Sequence, residues 1–340
     1  MTASRVNPLD GFTVDPAAIR TVGEGLQRPE CILAERDGSL WCADARGGVV
    51  QIGPDGSQRL VTPTVSAGFA TLADEATRFV SGTLPNGLAF ARNGDILIAN
   101  FGTDRLEIMT RGGESRVLAD TIDGAPIGKV NFVLRDSRDR LWLTISTRMT
   151  NWMLAISPNV RDGAIALYEN GRLRIVADGF AFTNEIRLDA DEQWLYVAET
   201  CGRKVTRLRV RPDGDLVDRE TFGPDDHGAC IDGIAFDAFG NLWGTHIFTD
   251  RIFAITPEGE LRILLDDDRG SEAGKAFLAA FDRDEVTPEL MLACGGAIAP
   301  LCASVTFGGP DLRDVYVGSL KASRIACFRS PVPGLPMVHW

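Results

Sequence analysis

The chain has 340 residues and a formal net charge of −12, and 44% of its residues are hydrophobic, enough for a full core. The charge excludes nucleic acid as a natural partner, because phosphate recognition needs a basic patch that no segment supplies. No apolar run reaches eighteen residues, and the start MTASRVNPLDGF has neither the basic nor the apolar part of a signal peptide, so the expectation is a cytoplasmic protein without a membrane partner. Seven cysteines without a CxxC pair fit a reducing compartment and read as small buried side chains.

In chain order, an extended stretch at 11–25 (GFTVDPAAIRTVGEG) comes first, and from Pro29 begins a sixteen-residue phrase present in six copies. The copies start at Pro29 (PECILAERDGSLWCAD), Pro85 (PNGLAFARNGDILIAN), Val130 (VNFVLRDSRDRLWLTI), Thr183 (TNEIRLDADEQWLYVA), Ile231 (IDGIAFDAFGNLWGTH) and Ala303 (ASVTFGGPDLRDVYVG). Each copy reads as a strand, a tight turn such as Arg36-Asp37-Gly38 or Arg92-Asn93-Gly94, and a second strand such as LWCAD or ILIAN. Outer strands follow, for example GVVQIGPDG and RIFAITPEG. Repeats of roughly 40 to 50 residues built this way predict an all-β fold, a β-propeller with four-stranded blades around a central channel, and residues 1–340 form one domain. The stretch 11–25 is expected to close the last blade as its outer strand.

Successive copies are unevenly spaced, and the excess chain falls around 66–83 and around 266–302. Both insertions lie on the face where inner strands begin, so both are expected to overhang the channel mouth as lids. Within the second, SEAGKAFLAAF has helical period. A third overhang is predicted at MTNWMLAIS (149–157), with Met149, Trp152 and Met153 as apolar contributors.

The second position of each phrase carries the chemistry. It reads Glu30, Asn86, Asn131, Asn184, Asp232, Ser304, and a propeller brings equivalent positions around one axis, so the column becomes a ring. Two carboxylates and several carboxamides, without His or Cys, suit one hard divalent cation at Glu30, Asn131, Asn184 and Asp232, Ca²⁺ ahead of Mn²⁺, Mg²⁺ or Zn²⁺. Asp232 is the first candidate for the general base, and Glu199 and His246, at the end of the second strands, are further catalytic candidates. Asn86, Asn131, Lys129 and Trp152 are expected to contact a small-molecule substrate, and Ser304 to donate a supporting hydrogen bond.

Glu30 in RPEC, Asn131 in VNFVLRD, Asn184 in FTNEIRLD and Asp232 in IDGIAFDAFGNLW resemble the four metal-binding landmarks of the gluconolactonase, regucalcin and senescence-marker-protein family. The resemblance covers nearly the whole chain. It implies a six-bladed propeller with one divalent cation in its central channel, commonly hydrolysing lactones, with the residues matching Glu30, Asn184 and Asp232 on the metal and the one matching Asn131 at the metal or the substrate. One departure stands out. Lys129-Val130-Asn131-Phe132 replaces the Arg-x-Asn-Asp of sugar lactonases, and the lost acid implies a substrate less hydroxylated than a sugar lactone. The leading expectation is therefore a divalent-metal-dependent lactonase. The alternatives are a phosphotriesterase or arylesterase of the paraoxonase type and a propeller that binds metal and ligand without catalysis. A metal-free strictosidine-synthase-like site is disfavoured, because all four oxygen donors are retained.

Overall fold

The computed structural model of the protein describes residues 6–66 and 83–340. Among these residues, the apolar alternation on either side of each Asp-Gly-type turn folds into hairpins, and the hairpins extend into six four-stranded antiparallel sheets. The inner strands are Ile32–Ala34, Pro85–Phe90, Val130–Arg135, Thr183–Leu188, Cys230–Phe236 and Cys302–Gly308. Each packs beside the next and the sixth packs beside the first, so the sheets form the closed ring of a six-bladed β-propeller. The sixth blade takes its outer strand from the start of the chain, where Arg20–Val22 runs antiparallel to Ile325–Arg329 with Thr21 opposite Ala326. This pairing uses only the end of the expected 11–25 stretch. A 3-10 turn at Pro16–Ala18, capped by Asp15, precedes it.

The repeated Trp of the second strands is a structural post. Trp41, Trp142 and Trp243 are wholly buried between blades, and each indole N–H donates to an acid of its own hairpin: Glu35 at 2.7 Å, Asp136 at 3.0 Å and Asp237 at 2.9 Å. A large apolar ring is buried this way without orphaning its one polar atom.

The ring column coincides with an interruption of the ladder. The inner strand slips register between Pro85 and Leu88, Val130 and Phe132, Thr183 and Ile186, Ile231 and Ile234, and Cys302 and Ser304. A β-bulge frees one residue from pairing and turns its side chain out of the regular alternation. The amides released are recaptured: Phe132 N–H donates to Thr144 Oγ1 (2.9 Å), Gly233 N–H to Thr245 Oγ1 (3.1 Å) and Ile234 N–H to Glu185 Oε2 (3.2 Å). Buried amides left without acceptors would cost the full desolvation penalty, so these acceptors make the bulges tolerable. Gly233 is required sterically, since a Cβ there would stand 2.5 Å from Ser304 Cα on the neighbouring inner strand.

The insertion at 266–302 contains a helix at Glu272–Asp282, N-capped by Ser271 through Gly274 N–H, and a short helix at Pro288–Ala293. Asp250 fastens its return, accepting from Leu301 N (3.1 Å), Cys302 N (2.9 Å) and Gly296 N. The lid expected at 66–83 falls on 67–82, outside the described residues. At the opposite end of the channel the chain's last residues cross the blades, with Leu335 N–H donating to Phe236 O (2.9 Å) and His339 Nε2 at 3.1 Å from Ala34 O. Among the described residues no helix is long and apolar enough to cross a membrane.

Candidate metal centre

Glu30, Asn86, Asn131, Asn184 and Asp232 line one cavity of about 50 Å³ at the mouth of the channel. They are 3–6% exposed, so four blades deliver buried oxygen-bearing side chains to a common space, with a fifth blade supplying Asn86's neighbour, Glu30. Asn86 Nδ2 donates to the main-chain oxygen of Asn131 (3.1 Å), and Asn184 Nδ2 donates to Thr200 Oγ1 (3.1 Å), which fixes the orientation of both amides. Ser304 Oγ donates to the main-chain oxygen of Glu30. Asn131 Oδ1 is buried and has no hydrogen-bond partner among the described residues.

The electrostatics are those of acids held away from water. Burial pushes the Asp232 carboxyl well above the usual carboxylate range, the nearby Glu30 and Glu185 carboxylates push it further, and Arg28 and Asn184 oppose. Glu30 is raised for the same first reason and is drawn back by Arg28 and Asn86. Arg28 is an element that the sequence reading missed. Its Nη2 lies 2.7 Å from Glu30 Oε2 and 3.1 Å from Asn86 Oδ1, and the side chain lines the cavity. Just beneath the ring, Glu185 pairs with Arg187 at 2.9 Å, and burial pushes its carboxyl up to about 7.

The remaining walls are apolar: Phe101, Trp152, Ile156, Phe182, Ile247, Phe248, Met291, Leu301 and Leu320. Met291 and Leu301 come from the 266–302 insertion, which thus overhangs the ring. Trp152 opens a 3-10 turn at Trp152–Ala155 and meets Phe101 edge-on at 5.6 Å. Met149 is 38% exposed and Met153 packs in the cluster behind the wall, so of the three apolar contributors expected there Trp152 alone reaches the cavity.

Three of the expected site residues stand elsewhere. Glu199 accepts from Ala181 N–H (2.9 Å) and Thr206 Oγ1 (2.5 Å), holding the connection that leads into the fourth inner strand. Asp44 and Asn100 do the same at the equivalent places, accepting from Gln27 N–H (3.0 Å) and Leu84 N–H (3.1 Å). The column to which Glu199 belongs is therefore one of loop fasteners. His246 lies against His227, with Nε2 and Nδ1 3.0 Å apart, and stacks on Phe253. Burial, His227 and Arg251 hold its pKa well below the ordinary value, and the ring is not among those that line the cavity. Lys129 Nζ pairs with Asp104 (3.0 Å) and lies 5.8 Å from the centre of the Phe101 ring, and it is not among the residues that line the cavity.

The donor set itself tests whether a cation fits. Among the described residues no group of three or more His, Cys, Asp or Glu side chains is placed to hold an ion, so any ion here depends on carboxamide oxygens beside two carboxylates. Such an oxygen set suits Ca²⁺ and its hard relatives, and the buried, unpartnered Asn131 Oδ1 is the kind of acceptor that a cation satisfies.

Comparison with known proteins agrees with this architecture. The gluconolactonase structure from Xanthomonas campestris superposes with a TM-score of 0.66 at 17% identity, covering 95% of this chain and 94% of that one. The calcium-binding protein regucalcin from Agrobacterium tumefaciens gives a TM-score of 0.65 at 14% identity over 92% and 95%. Serum paraoxonase/arylesterase 2 of Rattus norvegicus is 25% identical over 101 residues, which span 29% of this chain and 28% of that protein. The family model described as the SMP-30/gluconolactonase/LRE-like region matches residues 28–265, a span that begins at Arg28 and takes in Glu30, Asn131, Asn184 and Asp232, and the chain belongs to that family.

Proposed function

We propose that the protein is a divalent-metal-dependent hydrolase that opens a cyclic ester to a hydroxy acid, with Glu30, Asn131, Asn184 and Asp232 holding the cation, Ca²⁺ ahead of Mn²⁺, Mg²⁺ or Zn²⁺. The observation that carries this reading is the buried, unpartnered Asn131 Oδ1 in the same cavity as two carboxylates whose proton affinities are raised by burial. A bound divalent cation would polarise the ester carbonyl and stabilise the charge that develops on its oxygen. The chain's own residues supply the rest. Asp232 accepts a proton from the attacking water at a carboxylate oxygen. Asn86 keeps Asn131 in place through its main-chain oxygen, and Thr200 keeps Asn184 in place through its amide. Phe101, Trp152, Phe182 and Phe248 exclude bulk water and favour a ring with few hydroxyls. Glu199 and His246 have no part in this scheme.

The partial match to a paraoxonase/arylesterase favours one second reading, an aryl ester or phosphotriester in place of the lactone. The test is to strip the protein with a chelator, restore Ca²⁺, Mn²⁺, Mg²⁺ or Zn²⁺ one at a time, and measure rates on lactones, phenyl acetate and a phosphotriester. Activity that disappears with the ion and returns on lactones supports the leading reading. Activity that ignores the chelator overturns it, and tight ion uptake without turnover on any ester turns the protein into a binding propeller.

A further inference from the structure

The next position of the repeat after that of Glu199 reads Phe101, Ser146, Thr200, Ile247 and Leu320 in blades two to six, and four of these five line the cavity. Ser146 is the one that does not, and its hydroxyl is spent on the main-chain oxygen of Thr183 at 2.8 Å. Thr200 does, and among the described residues it brings the only hydroxyl to that wall. Its main chain is tied on both sides, the N–H donating to Phe182 O (3.1 Å) and the carbonyl accepting from Arg203 N–H (3.4 Å), so the side chain of this buried residue has a fixed origin. Thr200 Oγ1 accepts from Asn184 Nδ2 (3.1 Å), and an amide nitrogen accepts nothing in return. The hydroxyl proton therefore takes no part in that bond, and among the described residues no acceptor stands within hydrogen-bond reach of it. Buried donors are normally matched, so an unspent one on a cavity wall points to a ligand atom as its acceptor.

We propose that Thr200 is a further catalytic residue, its hydroxyl donating to the ring oxygen of the cyclic ester. This rests on the lactonase reading above. In that reading the carbonyl oxygen is assigned to the cation, and the ring oxygen is the acceptor left for Thr200. The placement suits the reaction, because Asn184, which holds Thr200 Oγ1, also stabilises the carboxylate of Asp232, so that hydroxyl and base flank one side chain. In ring opening the oxygen of water forms a bond to the ester carbon and its proton goes to Asp232. The bond from that carbon to the ring oxygen then breaks, the electron pair stays on the ring oxygen, and the proton passes from Asp232 to it. Thr200 keeps its own proton throughout and donates a hydrogen bond that strengthens as charge gathers on the departing oxygen.

The experiment uses the full chain and two variants, Thr200→Val, which keeps the shape and removes the hydroxyl, and Thr200→Ser, which keeps the hydroxyl. Rates are compared on δ-valerolactone, whose leaving group is an alkoxide, and on dihydrocoumarin, whose phenoxide departs with far less help. In Thr200→Val, kcat/KM is expected to fall about thirtyfold on the first and about threefold on the second, and Thr200→Ser is expected to restore both. Loss of Asn184's orientation alone would lower the two rates equally, so a ratio that does not move overturns the proposal. A second readout needs no turnover. Calorimetric titration in Ca²⁺ is expected to show the parent binding δ-hydroxyvalerate about tenfold more tightly than valerate, and Thr200→Val binding the two alike. Equal binding by the parent, or an advantage that survives in Thr200→Val, overturns the proposal. If Thr200→Val does not fold, Thr200→Ala takes its place on both readouts. If the parent opens no lactone at all, the lactonase reading fails while the titration still decides the role of Thr200.

Discussion

The upper end of the central channel is floored by Glu30, Asn86, Asn131, Asn184 and Asp232, whereas the lower end is lined by Leu33, Leu88, Phe90, Val133 and Ala235 from four of the inner strands and is covered by Met337, Val338, His339 and Trp340. The two cavities are of similar size, about 50 and about 60 Å³, so volume does not separate them. What separates them is the ladder. At the upper end the bulges of the second to fifth blades release Asn86, Asn131, Asn184 and Asp232 from strand pairing and hand loose amides to acceptors such as Thr144, Thr245 and Glu185. Lower down the ladder is regular, the side chains are mainly apolar, with Arg135, Arg187 and Thr306 among them, and the tail covers them. Irregular backbone marks the end that gathers the polar ring, and regular backbone marks the end that only closes the channel.

The largest effect expected from breaking this contrast comes at Asp232. Asp232→Asn keeps size and oxygen but removes half of the floor's negative charge and the proposed base, and kcat/KM should fall about 10³-fold, or about 4 kcal/mol, with the melting temperature of the ion-free protein unchanged or raised. A rate loss below fivefold in a well-folded variant would remove Asp232 from the mechanism.

Next in size is Glu185, which sits between the two ends, taking Ile234 N–H from the bulge and Arg187 from the side of the lower cavity. Its carboxyl is pushed up to about 7 by burial, against an ordinary value near 4.5. The folded chain therefore holds this proton more tightly than the unfolded chain does. Stability is fully present below about pH 4.5 and declines as pH rises toward 7, by about 3 kcal/mol in all. Thermal melts of the ion-free protein from pH 4 to 8 should show that decline in the parent and lose it in Glu185→Gln. His227, held at about 4 by burial, acts in the opposite direction, losing stability as pH falls from 6.5 toward 4, which is why the difference between parent and variant is the quantity to read.

The sequence made the ring legible because a repeat fixes equivalent places, and equivalent places converge when the blades close. Glu30, Asn131, Asn184 and Asp232 could be aligned without knowing any contact. The walls could be read only in part: Trp152, Phe101 and Phe182 are expected as apolar residues over the mouth, and the others are not. Arg28, Phe248 and Leu301 line the cavity from left-handed backbone, with φ of 54°, 71° and 55°, a conformation that local pattern assigns to glycine or asparagine. Each costs of order 1–2 kcal/mol locally and persists only because the surrounding blades hold it. Glu199 and His246 misled for a related reason. They share a repeat position at the end of the second strand, but that column fastens loops, as Asp44 and Asn100 do with backbone amides, and polarity alone does not distinguish a fastener from a ligand. One signal was available: Asn86-Gly87 and Asp232-Gly233 put glycine inside a strand pattern, which announces a bulge.

The lower end supplies the matching control. Met337 is half-buried against the cluster that contains Leu88, Phe132 and Ile186, and Met337→Ala should destabilise the protein by about 2 kcal/mol while leaving Ca²⁺ affinity within twofold. A large change in ion affinity would mean that the two ends are coupled, and the division between them would have to be redrawn.

The smallest effect sharpens the upper end alone. A cavity of roughly 150 Å³ holds a benzene ring, and the space here is about a third of that, so a ring of that size enters only if a wall gives way. Trp152 is a wall that can be cut back without touching a strand, because it stands in a 3-10 turn between strands, with its ring edge-on to Phe101 at 5.6 Å and tilted against Phe182 at 6.4 Å. Trp152→Ala should therefore shift selectivity toward a bulky lactone over a small one by about tenfold in kcat/KM, about 1.4 kcal/mol, since the small ring loses a contact that the large one could not have made without displacing the indole. An unchanged ratio would place the substrate's path elsewhere, with the 266–302 side of the wall, through Met291 and Leu301, as the segment that yields.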